Sequence, residues 1–413
     1  MKLPVRNPMG WPTPPLGAVA ATLVPQRDKP PELSGPIPWV RIEDFDGPEL
    51  SASKSGQGVT EETVAAMNLR VMPVGAVVCT CSCNMGATAI VTAPLVTNQT
   101  FIGLVPDAAR LSSRYLFYSL AAYKPLLDAE ATGTIQQYLS QDDFRQLRIP
   151  LPSLSVQHAI TDFLDPETAR IDRLIAARRE TAYLLELRRR AVIDEALRCT
   201  NGPRREVRVK YLIRGIQQGW SPECEARPAD DAEWGVLKAG CTNNGLFRAA
   251  ENKALPPGIE PKPDLEVRPG DLLVSRANTK ELLASVCVVP EVRPHLLLCD
   301  KLYRLVPSPD TDPRFLAYAL STSSARREIE SDATGTSDSM QNISQSTIRE
   351  LRINAPLTRR LQSDIADRLD RMLAQLTLLR ESPGRHVDLL LERRQALITA
   401  AVTGQIDIPG VAA

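Results

Sequence analysis

The sequence predicts an α+β protein built twice: two mixed α/β domains with twisted strands, separated by two long helices packed as an antiparallel coiled coil, in a pseudo-twofold internal repeat. Three observations lead there. Gln157, Ile160, Leu164, Leu185, Arg188, Arg189, Ala191 and Ile193 return as Gln362, Ile365, Leu369, Leu390, Arg393, Arg394, Ala396 and Ile398, each 205 residues later, and a period held over so many identities marks a duplication. Leu164, Ile171, Leu185 and Val192 fall on multiples of seven interrupted by Arg178, with Leu369, Leu376, Leu390 and Leu397 as counterparts interrupted by Pro383, which is a heptad seam. The elements before each helix also recur in order: Arg114-Tyr-Leu with Arg314-Phe-Leu, Ala131-Thr-Gly-Thr134 with Ala333-Thr-Gly-Thr336, and Leu147-Arg-Ile149 with Leu351-Arg-Ile353.

In chain order, residues 1 to 36 are proline-rich, with a short apolar element at Leu16 to Leu23. Strand patterns follow at Trp39 to Ile42, Val74 to Cys83, Thr88 to Val91 and Phe101 to Val105, then a helix from Arg114 to Leu127 and an extended Leu147 to Pro152. The second copy offers strands at Glu233 to Gly240, within Val267 to Asn278, and at Asp300 to Val306. The expected division is 1–152, first domain; 153–200, first helical region; 201–356, second domain; and 357–413, second helical region and tail. A helix from Pro166 to Arg198 would be roughly 50 Å long, too long for one small domain to cover, and the second copy is its natural partner. Asp165-Pro166-Glu167 is a start signal, so Gln157 to Leu164 is expected as a separate short helix. Pro383 in Glu381-Ser-Pro-Gly384 predicts a kink or brief interruption of the second long helix.

The 413 residues carry 49 basic and 49 acidic side chains, so no net field announces nucleic acid or membrane, and any DNA-facing surface is local or supplemented by another subunit. The apolar run Leu16 to Val24 is too short to span a bilayer, and Met1 to Asn7 lacks a signal-peptide core, so a cytoplasmic chain is expected. Eight cysteines occur without a CxxC spacing; Cys79, Cys81 and Cys83 share one face of a strand and read as reduced and half-buried. There is no GxxxxGK loop, no Asn/Asp-Pro-Pro-aromatic tetrapeptide and no glycine-rich nucleotide turn, so methyl transfer and ATP hydrolysis have no residues here.

The runs Gly235-Val-Leu-Lys, Glu251-Asn-Lys-Ala-Leu-Pro256 and Arg268-Pro-Gly-Asp-Leu-Leu-Val-Ser-Arg-Ala-Asn278 resemble the target recognition domain of type I restriction–modification specificity subunits. So do the Ala-Thr-Gly turn, Pro150-Leu-Pro-Ser-Leu-Ser-Val-Gln157, Phe163-Leu-Asp165 with Arg170-Ile-Asp172, and Arg393-Arg-Gln-Ala-Leu-Ile398 with Thr403-Gly-Gln-Ile406, over nearly the whole chain. The resemblance implies a non-catalytic reader of an asymmetric bipartite site in double-stranded DNA. Two methyltransferase subunits would dock along its helices and bring S-adenosylmethionine with them, leaving no cofactor in this chain, and motor-nuclease subunits would complete the complex.

Arg or Lys on guanine and Asn or Gln on adenine are the usual base contacts. In the second domain they single out Lys238, Arg276, Asn278, Lys280 and Lys301; in the first, where Cys79-Thr-Cys-Ser82 is set against Ser275-Arg-Ala-Asn278, they single out Ser82, Asn84, Asn98, Gln99, Gln136 and Gln137. Leu174, Arg188, Arg189, Arg393 and Arg394 on the long helices are expected to face partners. Two other readings keep part of the pattern: the recognition chain of a different multi-subunit restriction or methylation enzyme, or a helical scaffold with protein-binding ends, which zero net charge favours.

Overall fold

The computed structural model describes residues 8–411 apart from 27, 46, 83–85, 131–138, 200–202 and 338–339, and leaves undescribed the side chains of 128–130, 335–337, 340, 377 and 380–383. The chain divides into two compact units: Met1–Arg178 with Arg385–Ala413, and Arg179–Gly384. Both divisions fall inside the long helices, Leu154–Arg198 and Arg359–Val402.

In the first unit a five-stranded sheet runs in the order Ala20–Leu23, Phe101–Pro106, Val77–Thr80, Thr88–Val91 and Glu49–Leu50. A second sheet holds Gly58–Val59, Ile37–Val40, Leu95–Thr97 and Val71–Met72. The helix Ser113–Glu130 lies on the first sheet and buries Tyr115, Leu116, Leu120 and Tyr123 completely. The same core takes in Ile160 and Leu164 from the first long helix and Ile398, Ala401 and Val402 from the second. Residue number rises along one helix as it falls along the other, since Asp172 bonds Arg394 while Ile160 and Leu164 share the core with Ile398 to Val402, so the two run antiparallel within this unit.

The second unit repeats the plan. Its main sheet orders Ile213–Gln218, Leu302–Pro307, Leu272–Ser275 and Val286–Val288, matching the first four strands of the other unit, and a smaller sheet joins Asn252–Ala254, Gly235–Leu237 and Leu296–Leu297. The parallel pairing of Gly235–Leu237 with Leu296–Leu297 mirrors that of Ile37–Val40 with Leu95–Thr97. Two helices, Pro313–Leu320 and Ser323–Asp332, stand where the first unit has one, because Ser321 ends the first of them and Thr322 caps the next. Ile193 and Ala196 of the first long helix share a core with Ile365, Leu369 and Leu373 of the second, again antiparallel.

The identities that reveal the repeat sit where each long helix meets its domain. Gln157 is fully buried; its Oε1 accepts the Ser112 backbone N–H at 2.9 Å, and its Nε2 donates to the carbonyls of Arg110 at 2.7 Å and Pro152 at 2.9 Å. Gln362 is its twin, accepting from the Asp312 N–H at 2.9 Å and donating to the Pro356 carbonyl at 3.3 Å. Only a side-chain amide is both donor and acceptor with this reach.

Two expectations about helix ends are corrected. Asp165-Pro166 does not begin a new helix: Leu154–Arg198 is one 45-residue helix with Pro166 inside. Pro166 leaves the carbonyl of the exposed residue Asp162 without its helical donor, while buried Leu164 and Ile171 hold both flanks. Nor does Pro383 interrupt the second helix, which continues from Arg359 to Val402. One missing N–H bond is a local loss, and the helix is anchored in the two cores farther along, at Leu369 to Leu376 and at Leu397 to Val402. The seam is buried at Leu164, Ile171 and Leu369, but only half-buried at Leu185, Val192, Leu376, Leu390 and Leu397.

Replacing Gln157 or Gln362 by Ala leaves buried backbone groups unpaired, at a cost of about 1–3 kcal/mol for each group. Gln157→Ala is expected to destabilise more than Gln362→Ala, since three bonds are lost against two; denaturant unfolding of the two variants checks the order.

Candidate nucleic-acid interface and helix surface

In the second unit the strand Leu272–Ser275 ends by delivering Arg276 to a junction of three segments. The Arg276 N–H donates to the Lys301 carbonyl at 2.8 Å, its carbonyl accepts from Ile343 N–H at 3.0 Å, and its guanidinium donates to the Asp300 carbonyl at 3.2 Å. Ala277–Asn278 then pairs with Met340–Asn342. Asn278 Nδ2 donates to Asn243 Oδ1 at 2.9 Å and its Oδ1 accepts the Thr279 N–H at 2.9 Å, so the amide is already oriented. Lys280 projects from the following exposed turn.

Lys238 and Lys301 are brought together with Lys253, Ser221 and Asp300 along one groove of about 540 Å³. Lys238 pairs with Glu251 at 3.8 Å, and Ser221 bonds the Asp300 carboxylate. Nearby, the Lys262 ammonium lies 4.4 Å over the Trp220 ring. Three lysines against two carboxylates make this groove locally basic in a chain with no net charge.

One residue that sequence reasoning missed supports the exposed turn. Arg326 is buried, and its guanidinium donates to the carbonyls of Leu283, Lys280 and Glu281, the last two at 3.4 and 3.2 Å, while also meeting Glu330 at 3.3 Å. Burial pulls its pKa down. Its only sequence signal is an arginine on the apolar side of an otherwise polar helix.

Strand pairing corrects the register between the two domains. Val77 lies opposite Leu104 and Leu272 opposite Leu305; Thr80 Oγ1 accepts the Ala87 N–H, and Ser275 Oγ accepts the Ser285 N–H, both at 3.0 Å. Thr80 therefore stands for Ser275 and Cys81 for Arg276, one residue away from the alignment that set Cys79 against Ser275. Cys81 confirms it: its N–H donates to the Thr100 carbonyl and its own carbonyl accepts from Leu139, as Arg276 does with Lys301 and Ile343. Both strands are buried at all four positions, so no polar alternation marks the register in sequence.

At this edge of the first domain, then, a thiol occupies the place of a guanidinium. Ser82 is half-buried beside it, Asn98 uses its side chain to cap Thr100 at 3.3 and 2.5 Å, and Gln99 is exposed at the turn. Asn84, Gln136 and Gln137 lie outside the described residues. Burial pushes the Cys79 thiol well above its ordinary value and raises Cys287 and Cys299 to about 12, so these thiols stay protonated. No metal-binding group of His, Cys, Asp and Glu occurs among the described residues.

On the long helices the structure separates the arginines. Arg188 and Arg393 are exposed, as is Leu174 at 45% and its repeat counterpart Leu379 at 58%. Arg394 instead turns inward to grip Asp172 with two bonds of 2.9 and 3.2 Å, and Arg189 is buried; position within the repeat, not residue type, decides this. Beneath them lies a matched network: Tyr118 donates to Asp165 at 2.6 Å and Arg114 to Asp162 at 3.3 Å, while Tyr318 donates to Asp370 at 2.5 Å and Arg314 to Asp367 at 2.7 Å. Leu184 and Leu389, also repeat-related, are 54% and 55% exposed.

A family model described as the type I restriction modification DNA specificity domain matches residues 18–181. Over those residues the chain is similar to a type I specificity domain. The type I restriction enzyme EcoEI specificity subunit of Escherichia coli is 33% identical over 153 residues, covering 37% of this chain and 26% of that protein. The MjaIX specificity subunit of Methanocaldococcus jannaschii is 28% identical over 174 residues, covering 41% and 39%. The chain thus spans well under two thirds of the curated relatives it matches. A solved chain from work on complex assembly and conformational transition of the type I R-M system superposes with a TM-score of 0.57 at 19% identity, over 98% of this chain and 100% of that one, and shows the same fold.

Both halves of that fold share one strand order, and the family model covers the first of them. No helix among the described residues is long and apolar enough to cross a membrane. Removing the Arg326 guanidinium leaves the carbonyls beneath the Lys280 turn without a donor. Arg326→Met is expected to destabilise the second unit by about 3 kcal/mol and to speed amide exchange at Leu282 to Ser285, which hydrogen-exchange mass spectrometry measures.

Proposed function

We propose that this chain is the DNA-recognition subunit of a type I restriction–modification complex. Each domain reads one half of an asymmetric bipartite target in double-stranded DNA, and the long helices dock two methyltransferase subunits. The subunit is non-catalytic and works in the cytoplasm: S-adenosylmethionine sits on the methyltransferases, and motor-nuclease subunits supply cleavage. The observation that carries the reading is one strand order used twice with different polar side chains at its reading edge, Arg276 and Lys301 in one copy and Cys81 and Thr100 in the other. A constant scaffold with divergent edges suits two half-sites of different sequence.

The base-reading set in the second domain is Lys238, Arg276, Asn278, Lys280 and Lys301, to which the groove adds Lys253. Arg276 and Asn278 are held by backbone and amide partners, the preorganisation that direct readout needs; the lysines suit phosphates. In the first domain Ser82, Asn98 and Gln99 serve, with Asn84, Gln136 and Gln137. Arg188, Arg393 and the exposed leucines, Leu174 among them, form the docking surface for the methyltransferases, because exposed apolar side chains at repeated positions suit two copies of one partner.

Expression with the neighbouring methyltransferase in a methylation-free host, followed by modified-base sequencing, is expected to give a gapped asymmetric motif with methyladenine in both halves. An assembled complex that adds no methylation overturns the reading. Arg276→Ala is expected to cost about 1–3 kcal/mol of affinity and relax preference at one half-site, whereas Lys301→Ala lowers affinity for all sequences and reduces the salt slope by about 1; binding titrations at several salt concentrations separate them. The paired change Leu184→Glu and Leu389→Glu is expected to weaken methyltransferase assembly at least tenfold while leaving the thermal midpoint of the subunit within about 2 °C; analytical ultracentrifugation and thermal unfolding test both halves.

A further inference from the structure

The internal repeat supplies its own control for Arg189. Its counterpart Arg394 lies beside the Arg114, Tyr118 and Asp165 network and is neutralised by the two-pronged bond to Asp172. Arg189 lies beside the matching Arg314, Tyr318 and Asp370, but position 377, which answers to Asp172, is a threonine. Arg189 is 8% exposed, yet its nearest acid is Glu186 at 4.0 Å, beyond hydrogen-bond reach, and Glu186 is already held by Arg190 at 3.0 Å. Asp370 is engaged by Tyr318 and Arg314. Arg189 instead lines a cavity of about 300 Å³ whose apolar lining includes Val286 and Pro290. Gly245 packs so closely on the guanidinium that an added Cβ would stand 2.5 Å from Nη2, which keeps the arginine from withdrawing toward that loop.

We propose that this cavity in the second unit is a carboxylate-binding site, in which Arg189 takes a monocarboxylate by the forked geometry that Arg394 uses on Asp172. A buried guanidinium without a bidentate acceptor is costly, and the fork matches a planar carboxylate. The Asp370 carboxylate in the same wall disfavours a dianion, and the apolar wall suits the carbon side of a group of formate or acetate size. The carboxylate comes either from a free small acid or from an Asp or Glu side chain of a docked subunit.

Thermal unfolding of the full chain, with acetate or formate replacing chloride at constant ionic strength and sulfate as the doubly charged control, tests the site. The wild-type midpoint is expected to rise saturably by about 2–4 °C with the monocarboxylates and not with sulfate. Thr377→Asp, which restores the acid found in the first unit, raises the midpoint in chloride and abolishes the response; Arg189→Gln also abolishes it, and decides the matter if Thr377→Asp fails to fold. A second arm, which alone rests on the functional reading above, distinguishes the sources. If the occupant is a partner's acidic side chain, Thr377→Asp weakens methyltransferase assembly at least tenfold and acetate competes with assembly; unchanged assembly together with the thermal response assigns a free acid. The proposal is overturned if the response persists in Arg189→Gln, or if wild type shows neither a monocarboxylate response nor acetate-sensitive assembly.

Discussion

Two buried amides fix how each long helix leaves its domain. Gln157 and Gln362 each accept an N–H from the segment that starts the domain helix and donate to a carbonyl at the end of the extended strand before the long helix. With donor and acceptor both satisfied inside the core, any other side chain there leaves a buried backbone group unpaired. The helix direction is thereby tied to the sheet, and the polar edge carried by the sheet is held in a defined relation to the helix within each unit. The Arg-Tyr-Asp networks one to two turns later add a second tie of the same kind.

The two sheets share strand order because their cores ask the same question: an apolar face must cover the domain helix and the ends of both long helices. Their edges face no such demand. Where the backbone bonds of Arg276 and Cys81 are equivalent, one side chain is a guanidinium on a carbonyl and the other a thiol on the Gln99 carbonyl at 3.6 Å. Backbone geometry is held constant while the chemistry at the edge is free to vary, which suits the proposed reading of two different half-sites.

Burial sorts the helix residues in a way that charge alone does not. Adjacent arginines at 188 and 189, and again at 393 and 394, have opposite fates, since a step of one residue turns a helix position by about 100°. The inward members lie beside the domain networks, Arg394 bonded to Asp172 and Arg189 buried next to Tyr318 and Asp370, and the outward ones stand with exposed leucines.

The sequence by itself determined the duplication, the α+β class, the two long helices and most strand positions, because apolar periodicity and a constant offset are local properties of the chain. Thr88–Val91 was legible to the residue. It also singled out Lys238 and Lys301, which the fold brings to one groove, since residue type at a strand end is visible without coordinates. Tertiary structure alone decided the rest. It carried the first helix through Pro166, because the flanking core outweighs one missing bond, and it put Cys81 rather than Thr80 in the place equivalent to Arg276, because strands buried on both faces have no alternation from which to read register. It separated Arg189 from Arg188 and recruited Arg326, 43 residues away in the chain, to the turn at Leu283. Those outcomes depend on which groups are desolvated together, and desolvation is a property of the packed chain and not of any segment of it.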